Sequence, residues 1–146
     1  NELEIINNKT IRGLKHSKGW ANSHKVYFYA EFSSPFKIDS VIVDKKSISR
    51  SNIYRGKNIY AKFSFNALQN NDPLLIKVSI SPVDTDGAQK NMKAELDHWD
   101  FKEVRKENEE AWVKELQKIR VSTKNKDDLV IFYTALYHSM IAPMIY

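Results

Sequence analysis

Apolar and polar side chains alternate along the first half of the chain with a period of two residues. The alternation is clearest at three sets of apolar positions: Val26, Phe28, Ala30 and Phe32; Ile59, Ala61, Phe63 and Phe65; and Leu74, Ile76, Val78 and Ile80. Because successive side chains of a strand point to opposite faces, each set predicts a strand with one face on a core and one in water. Residues 3–6, 11–15 and 40–44 are weaker strand candidates. Short strands at this spacing, without helices between them, favour an antiparallel β-sandwich.

The second half of the chain changes to a helical period. Residues 88–96 predict a short helix, and Asp100 is expected to cap a longer one, with Glu103 three residues later as in a capping box. Asp127 or Asp128 is expected to cap a third helix. The fold class predicted from the two halves is α+β, an antiparallel β-sandwich portion followed by α-helices.

The third predicted helix, which Pro143 ends or kinks, is apolar on nearly all sides. One stripe consists of Leu129, Phe132, Tyr133, Leu136 and Met140. A helix of this kind is normally buried nearly all round, and 146 residues cannot easily surround it. We therefore interpret the chain as a segment of a longer protein, and we expect the isolated segment to self-associate through this helix.

The composition is that of a soluble globular protein, with 42% apolar and 28% charged residues and no cysteine. The net charge of +5 is unevenly spread, since residues 1–83 carry 13 Lys/Arg against 6 Asp/Glu. Because the lysines are scattered and no nucleic-acid-binding motif is present, we expect solubilising surface charge and no nucleic-acid partner. Residues 129–146 just reach the length of a membrane span, but polar residues and a proline interrupt them, so no span is expected.

The sequence identifies no catalytic residue and no metal site. The four histidines lack metal-ligand spacing, and no carboxylate pair for acid–base catalysis stands out. Trp20, in the polar stretch 16–24, offers a flat apolar face that suits the C–H face of a pyranose, with packing in a core or lid as an equal alternative. Trp99 stands where a helix begins, where a hydrophobic staple is the default interpretation. His138 could line a pocket, or be a hydrogen-bonded core histidine.

Strings of residues along the chain resemble one known family. In the second half, Asn91 and Glu95 are followed by Trp99-Asp100-Phe101, Val104-Arg105, Trp112, the run Phe132-Tyr133-Thr134-Ala135-Leu136-Tyr137-His138 and Pro143. The first half contributes Gly19-Trp20-Ala21, Val26-Tyr27-Phe28 and Pro35-Phe36. The pattern resembles glycoside hydrolase family 92, the bacterial exo-acting α-mannosidases, over nearly the whole chain from about residue 11. Val113 departs from it, standing where a polar residue is expected.

The resemblance implies an N-terminal β-sandwich (here residues 1–83), linker helices (84–126) and the first helix of an (α/α) catalytic barrel (127–146). It also implies calcium-dependent hydrolysis, with inversion, of α-1,2-linked or related mannosides by a bacterial protein that is secreted, periplasmic or at the cell surface. In the family the acid, base and calcium ligands come from the barrel. We therefore expect this segment to be inactive by itself and to bind no calcium, and expect mannose-containing glycans and the barrel of the same polypeptide as its partners.

A hypothesis of a different class stays open. The basic first half, which contains several aromatic residues, also fits a non-catalytic carbohydrate-binding β-sandwich module with a helical tail. For sugar contact, Trp20 is the leading candidate, followed by His138 and Trp99.

Overall fold

The computed structural model describes residues 1–19, 22–66 and 73–141. The chain divides into two units, Asn1–Trp99 and Asp100–Tyr146. The described strands and one helix belong to the first unit, and two further helices belong to the second. The boundaries implied by the resemblance, after residues 83 and 126, stay predictions.

Two antiparallel sheets form the first unit. Its described strands are β1 (Glu2–Ile5), β2 (Thr10–Ser17), β3 (His24–Phe32), β4 (Phe36–Val43), β5 (Lys46–Ser47), β6 (Ile53–Arg55), β7 (Ile59–Phe65) and β8 (Ile76–Ser81). One sheet has the strand order β6-β1-β2-β3-β8, and the other has the order β5-β4-β7. The predicted α+β class with an antiparallel sandwich is therefore confirmed. Strands β5 and β6 are too short for an alternating pattern to predict them.

The core of the first unit lies between its two sheets. Its centre consists of the buried side chains of Leu3, Val41, Val43 and Tyr54. Beside them Phe32 of β3 meets Phe36 of β4 edge to face, with ring centroids 5.3 Å apart, an arrangement that aromatic pairs favour. At Gly13 of β2 an added Cβ would collide with the carbonyl oxygen of Glu2, so the close approach of β1 and β2 requires glycine there.

Helix α1 (Thr85–Glu95) packs on β3 and β8 of the five-stranded sheet. It begins before residue 88 because the Asp84 carboxylate caps it, accepting a hydrogen bond from the Gly87 amide at 2.5 Å. Its buried Ala88 and Met92 pack against Tyr29 of β3. The helix thus lies on the sheet face that carries Tyr29.

Polar groups also fasten α1 to the sheet. Ser79 Oγ donates to the Ala88 carbonyl oxygen at 2.6 Å, and Asn91 Nδ2 donates to the Ile80 carbonyl oxygen at 2.9 Å. These bonds satisfy backbone carbonyls of both elements with side chains of the other. The helix is therefore held by directional contacts as well as by apolar burial.

Strand β8 corrects one prediction. Its existence follows the alternation, but Ile76, Val78 and Ile80 are 52%, 58% and 61% exposed, whereas Lys77 and Ser81 are buried. The expected burial is therefore reversed. The physical reason is that α1 covers the polar side of β8, where Lys77 and Ser79 find hydrogen-bond acceptors, and the described residues leave the apolar side open.

The second unit contains helices α2 (Phe101–Leu116) and α3 (Lys126–Ile141). Asp100 caps α2 as predicted, because its carboxylate accepts hydrogen bonds from the amides of Lys102 and Glu103, both at 3.0 Å. The predicted cap of α3 at Asp127 or Asp128 is wrong. Asn125 precedes the helix and accepts from the Asp127 amide at 3.0 Å, so both aspartates lie in the first turn, where their charge complements the helix dipole.

Helices α2 and α3 meet through aromatic side chains. The rings of Trp112 and Tyr137 pack edge to face with centroids 4.6 Å apart. The predicted α3 stripe is half-buried, while Val130 and Ile131 on other sides are well exposed. Pro143 lies outside the described residues. None of the helices in the described part of the chain has both the length and the apolarity to cross a bilayer.

Candidate functional site

The three residues predicted to contact sugar belong to different parts of the chain. Trp20 lies outside the described residues. Trp99 is the last residue of the first unit, and His138 belongs to α3 of the second.

The indole of Trp99 rests on the ammonium group of Lys77. Lys77 Nζ lies 4.4 Å from the centroid of the ring, within the range of a cation–π interaction. The same nitrogen lies 3.3 Å from a carboxylate oxygen of Glu31 and donates to the Leu96 carbonyl oxygen at 3.1 Å. The Lys77 side chain is only 9% exposed, and these partners explain why its charge is tolerated there.

Trp99 also lines a shallow groove, which we call the Trp99 groove. The residues around it are Asn7, Asn8, Lys9, Thr10, Glu31, Phe32, Ser33 and Trp99. They come from the β1–β2 turn, the end of β3 and the chain after α1. The Trp99 groove therefore places an aromatic ring beside amide, carboxylate, hydroxyl and ammonium groups, the combination that a polyhydroxylated ligand requires.

Hydrogen bonds fix the part of the Trp99 groove that the turn between β1 and β2 forms. Asn7 Oδ1 accepts from the Lys9 amide at 2.8 Å, which fixes the turn between β1 and β2. Lys9 Nζ donates to the Ser33 carbonyl oxygen at 3.0 Å. The turn is thus tied to the end of β3, and Asn7 and Asn8 stay at the exposed rim.

Tyr29 contacts the Glu31 carboxylate of the groove. Its hydroxyl donates to Glu31 at 3.3 Å and accepts from Gln89 of α1 at 3.2 Å. Burial raises the pKa of Tyr29 above its ordinary value, and the charge of Glu31 adds to the effect. Tyr29 therefore stays protonated at neutral pH, as its donation to Glu31 requires.

The described residues carry no recognisable hydrolytic or metal centre. Residues 1–19, 22–66 and 73–141 contain no group of three or more His, Asp or Glu side chains that could hold a metal ion. Glu31, the carboxylate of the Trp99 groove, is engaged by Lys77, and Glu4 is engaged by Arg12 at 2.7 Å. The arrangement can bind and orient a ligand, but it shows no pair of carboxylates for acid–base work.

His138 is exposed on α3, with its ring centroid 5.8 Å from that of Tyr137. Tyr137 is in turn held by Trp112. His138 therefore stands beside a fixed aromatic pair, but its part in ligand binding stays a prediction.

Sequence reasoning missed Glu31 and Lys77. They are 46 positions apart in the sequence and become direct neighbours only through the register of β3 and β8. Each stands on the polar side of an alternating strand, where the pattern predicts solvent. The only local signal was a lysine flanked by apolar residues on a strand of high β propensity, and that signal is too common to indicate a site.

Two family models match this chain. Residues 1–81 match the glycosyl hydrolase family 92 N-terminal domain, and residues 87–146 match the glycosyl hydrolase family 92 catalytic domain. The chain belongs to glycosyl hydrolase family 92, as the resemblance predicted.

Solved structures place its relatives among the mannosidases. The chain is 37% identical to the family GH92 α-mannosidase BT3965 from Bacteroides thetaiotaomicron, with a TM-score of 0.85 over 99% of this chain and 20% of that one. The same enzyme with mannoimidazole gives a TM-score of 0.84 at the same identity and coverage. The family GH92 inverting mannosidase BT2199, from the same bacterium, is 18% identical with a TM-score of 0.87 over 97% of this chain and 20% of that one, and it supports the fold alone.

One curated relative matches a shorter part of this chain than the solved structures do. An uncharacterized secreted glycosidase from Arthroderma benhamiae is 35% identical over 74 residues, which are 48% of this chain and 10% of the relative. This chain thus spans about a fifth of the mannosidase chains, and a tenth of the glycosidase, that it matches.

Proposed function

We propose that this chain is part of an α-mannosidase that releases terminal mannose from α-1,2-linked or related mannosides with inversion. The observation that carries the proposal is the 37% identity to an α-mannosidase along 99% of this chain. Membership of a glycosyl hydrolase family supports the same reaction class. The segment would supply one wall of the substrate cleft and the start of the catalytic domain.

Catalysis with inversion needs a general acid and a general base far enough apart to admit a water molecule. Among the described residues, the carboxylate nearest a candidate binding surface, Glu31, is neutralised by Lys77. We therefore assign the acid and the base to parts of the protein outside these residues, and we expect the segment alone to be inactive.

Calcium belongs to the proposal only for the whole enzyme. Calcium prefers six to eight oxygen ligands, several of them carboxylates, and the described residues offer no such group. The side chains described here therefore do not fit a calcium site.

For sugar contact we propose Trp99 with the groove around it, together with Trp20 and His138. Lys77 occupies one face of the indole, so a mannoside would stack on the part of the ring that is left open; Trp99 is 38% exposed. Asn7 and Asn8 at the rim offer amide donors and acceptors for hydroxyl groups. We further propose that the protein is secreted, periplasmic or at the cell surface, which the secreted relative supports, and that its source is bacterial, as is the source of the matching α-mannosidase.

When the segment is isolated from the rest of the protein, the open sides of α3 should drive its self-association. Val130 and Ile131 are exposed apolar side chains on sides of the helix that α2 leaves open. Sedimentation of the isolated segment measures this directly, and a monomer with an ordered α3 would contradict it.

The test of function is mannose release by the full-length protein. Purified enzyme is incubated with α-1,2-mannobiose, and NMR identifies the anomer of mannose that forms first. We expect hydrolysis with β-mannose as the first product, loss of activity with a calcium chelator, and recovery on calcium addition. A protein that binds mannosides without cleaving them would support the carbohydrate-binding alternative instead.

A further inference from the structure

The open face of β8 continues the core of the sandwich. Ile76, Val78 and Ile80 pair in register with Phe32, Ala30 and Phe28 of β3, so the two strands share one apolar face. On β3 that face is covered, since Phe32 and Ala30 are buried. Among the described residues, this cover is missing on β8. We call the exposed side chains of Ile76, Val78 and Ile80, together with the exposed Val83 after the strand, the β8 face.

The β8 face cannot be hidden by turning the strand over. A shift of register by one residue would exchange the two sides of β8. It would also break the ion pair of Lys77 with Glu31 and the hydrogen bond from Ser79 to the Ala88 carbonyl oxygen. The contacts on the α1 side therefore hold the apolar side chains in their exposed orientation.

The backbone of β8 is also open along one edge. Strand β8 stands last in the order β6-β1-β2-β3-β8, and among the described strands it pairs with β3 alone. Soluble proteins usually protect such an edge with charge, proline or a bulge. Here the exposed side of the edge strand carries Ile76, Val78 and Ile80 instead. An open ladder edge next to an alternating apolar face provides what an added strand uses, namely main-chain hydrogen bonds and alternate side-chain contacts.

We propose that β8 is the docking edge for a further β-strand of the same polypeptide, from a part outside these 146 residues, whose alternate apolar side chains help to cover Ile76, Val78 and Ile80. The proposal rests on the proposed function, in which the chain is part of a longer enzyme. The mannosidase chains that match are about five times as long, so ample chain exists to supply the strand. A strand tethered in the same polypeptide also has a high effective concentration, which a second molecule lacks.

Hydrogen exchange on the full-length protein tests the docking edge. The amides of residues 76–81 that point away from β3 are followed at single-residue resolution by mass spectrometry, at two protein concentrations about a hundredfold apart, because the amides bonded to β3 are protected with or without a docked strand. We expect slow exchange, at least about a hundredfold slower than for an unprotected strand, at both concentrations. Rapid exchange would overturn the proposal. Protection that appears only at the higher concentration would overturn it in favour of a second copy of the protein.

A matched pair of substitutions at one position tests the apolar contact. Val78→Thr keeps the β-branched shape and Val78→Asp adds a charge; in an open face Val78→Thr leaves the melting temperature of the full-length protein unchanged, and Val78→Asp lowers it only by its lower strand propensity. A docked strand predicts that Val78→Asp lowers the melting temperature more than Val78→Thr, and that both lower it. If Val78→Asp fails to fold, the exchange data and the threonine variant still decide the matter.

Mannoside hydrolysis is measured on the same wild-type sample. An active enzyme with an unprotected β8 refutes the docking edge alone, while an inactive protein with a protected β8 refutes the proposed function alone.

Discussion

Replacing Lys77 by methionine should loosen the attachment of α1 and leave the sheet intact. Methionine keeps the apolar stem of the side chain but removes the ammonium group. The change deletes the hydrogen bond to the Leu96 carbonyl oxygen, the ion pair with Glu31 and the contact with the Trp99 ring. All three contacts join β8 to the chain at the end of α1 or to its neighbouring strand, so the loss should be local.

The magnitude follows from the three contacts. A buried hydrogen bond from a charged donor contributes about 1.5–3 kcal/mol. The ion pair adds less than about 1 kcal/mol, because the Glu31 side chain is 31% exposed and solvent screens it. The cation–π contact adds roughly 0.5–1 kcal/mol, and relief from desolvating the ammonium offsets part of the total. The expected net loss is about 2 kcal/mol, which corresponds to roughly thirtyfold faster local opening.

The assay is hydrogen exchange of α1 in the full-length protein. Lys93→Met is the matched control, since Lys93 is an exposed lysine in the last turn of the same helix. We expect α1 to exchange roughly thirtyfold faster in Lys77→Met and at the wild-type rate in the control. Adding Glu31→Gln to Lys77→Met should give less than the sum of the two single effects. Equal exchange in the lysine variants, or strict additivity with Glu31→Gln, would refute the reasoning.

Three further predictions concern single side chains. Gly13→Ala should cost about 3 kcal/mol or more in the free energy of unfolding, because its methyl group collides with the backbone of β1, whereas Gly19→Ala meets no atom within 4 Å and should be neutral in the same denaturant titration. Tyr29→Phe should make the melting temperature less dependent on pH at high pH. Because the pKa of Tyr29 is raised in the folded protein, its contribution to stability is full below the ordinary tyrosine pKa of 10.0 and is lost as pH rises through the folded value. A series of thermal melts against pH that is identical to wild type would contradict this. In the full-length enzyme, Trp99→Ala should lower kcat/KM about tenfold and Trp99→Phe less, and unchanged kinetics with either would assign the indole to packing.

The sequence was most informative where local chemistry decides the structure. Strand β3 lies with Phe32 and Ala30 on the core, as the alternation predicted, and Asp100 caps α2 because its carboxylate reaches two free amides without help from distant residues. Family membership, likewise, was carried by short strings of residues and is confirmed by both family models.

Sequence reasoning failed where a distant element decides which side of a strand is covered. The burial of β8 depends on α1 lying over Lys77 and Ser79, and no pattern within β8 reveals that helix. The cap of α3 was misplaced because Asn125, Asp127 and Asp128, three residues that can each cap a helix, stand within four positions, and only the backbone geometry selects Asn125. The Trp99 groove joins residues from three parts of the chain, so its composition could not be predicted either.

The polar fastening of α1 gives the helix one permitted position on the sheet. Apolar side chains tolerate sliding, since one methyl group can replace another, but a hydrogen bond to a named carbonyl oxygen does not. A slide by one helical turn would move Ser79, Asn91 and Lys77 about 5.4 Å away from the atoms they bind. The end of α1 is therefore fixed relative to the sheet, and changes in the sequence of the surrounding loops should not move the point at which the chain leaves the sheet.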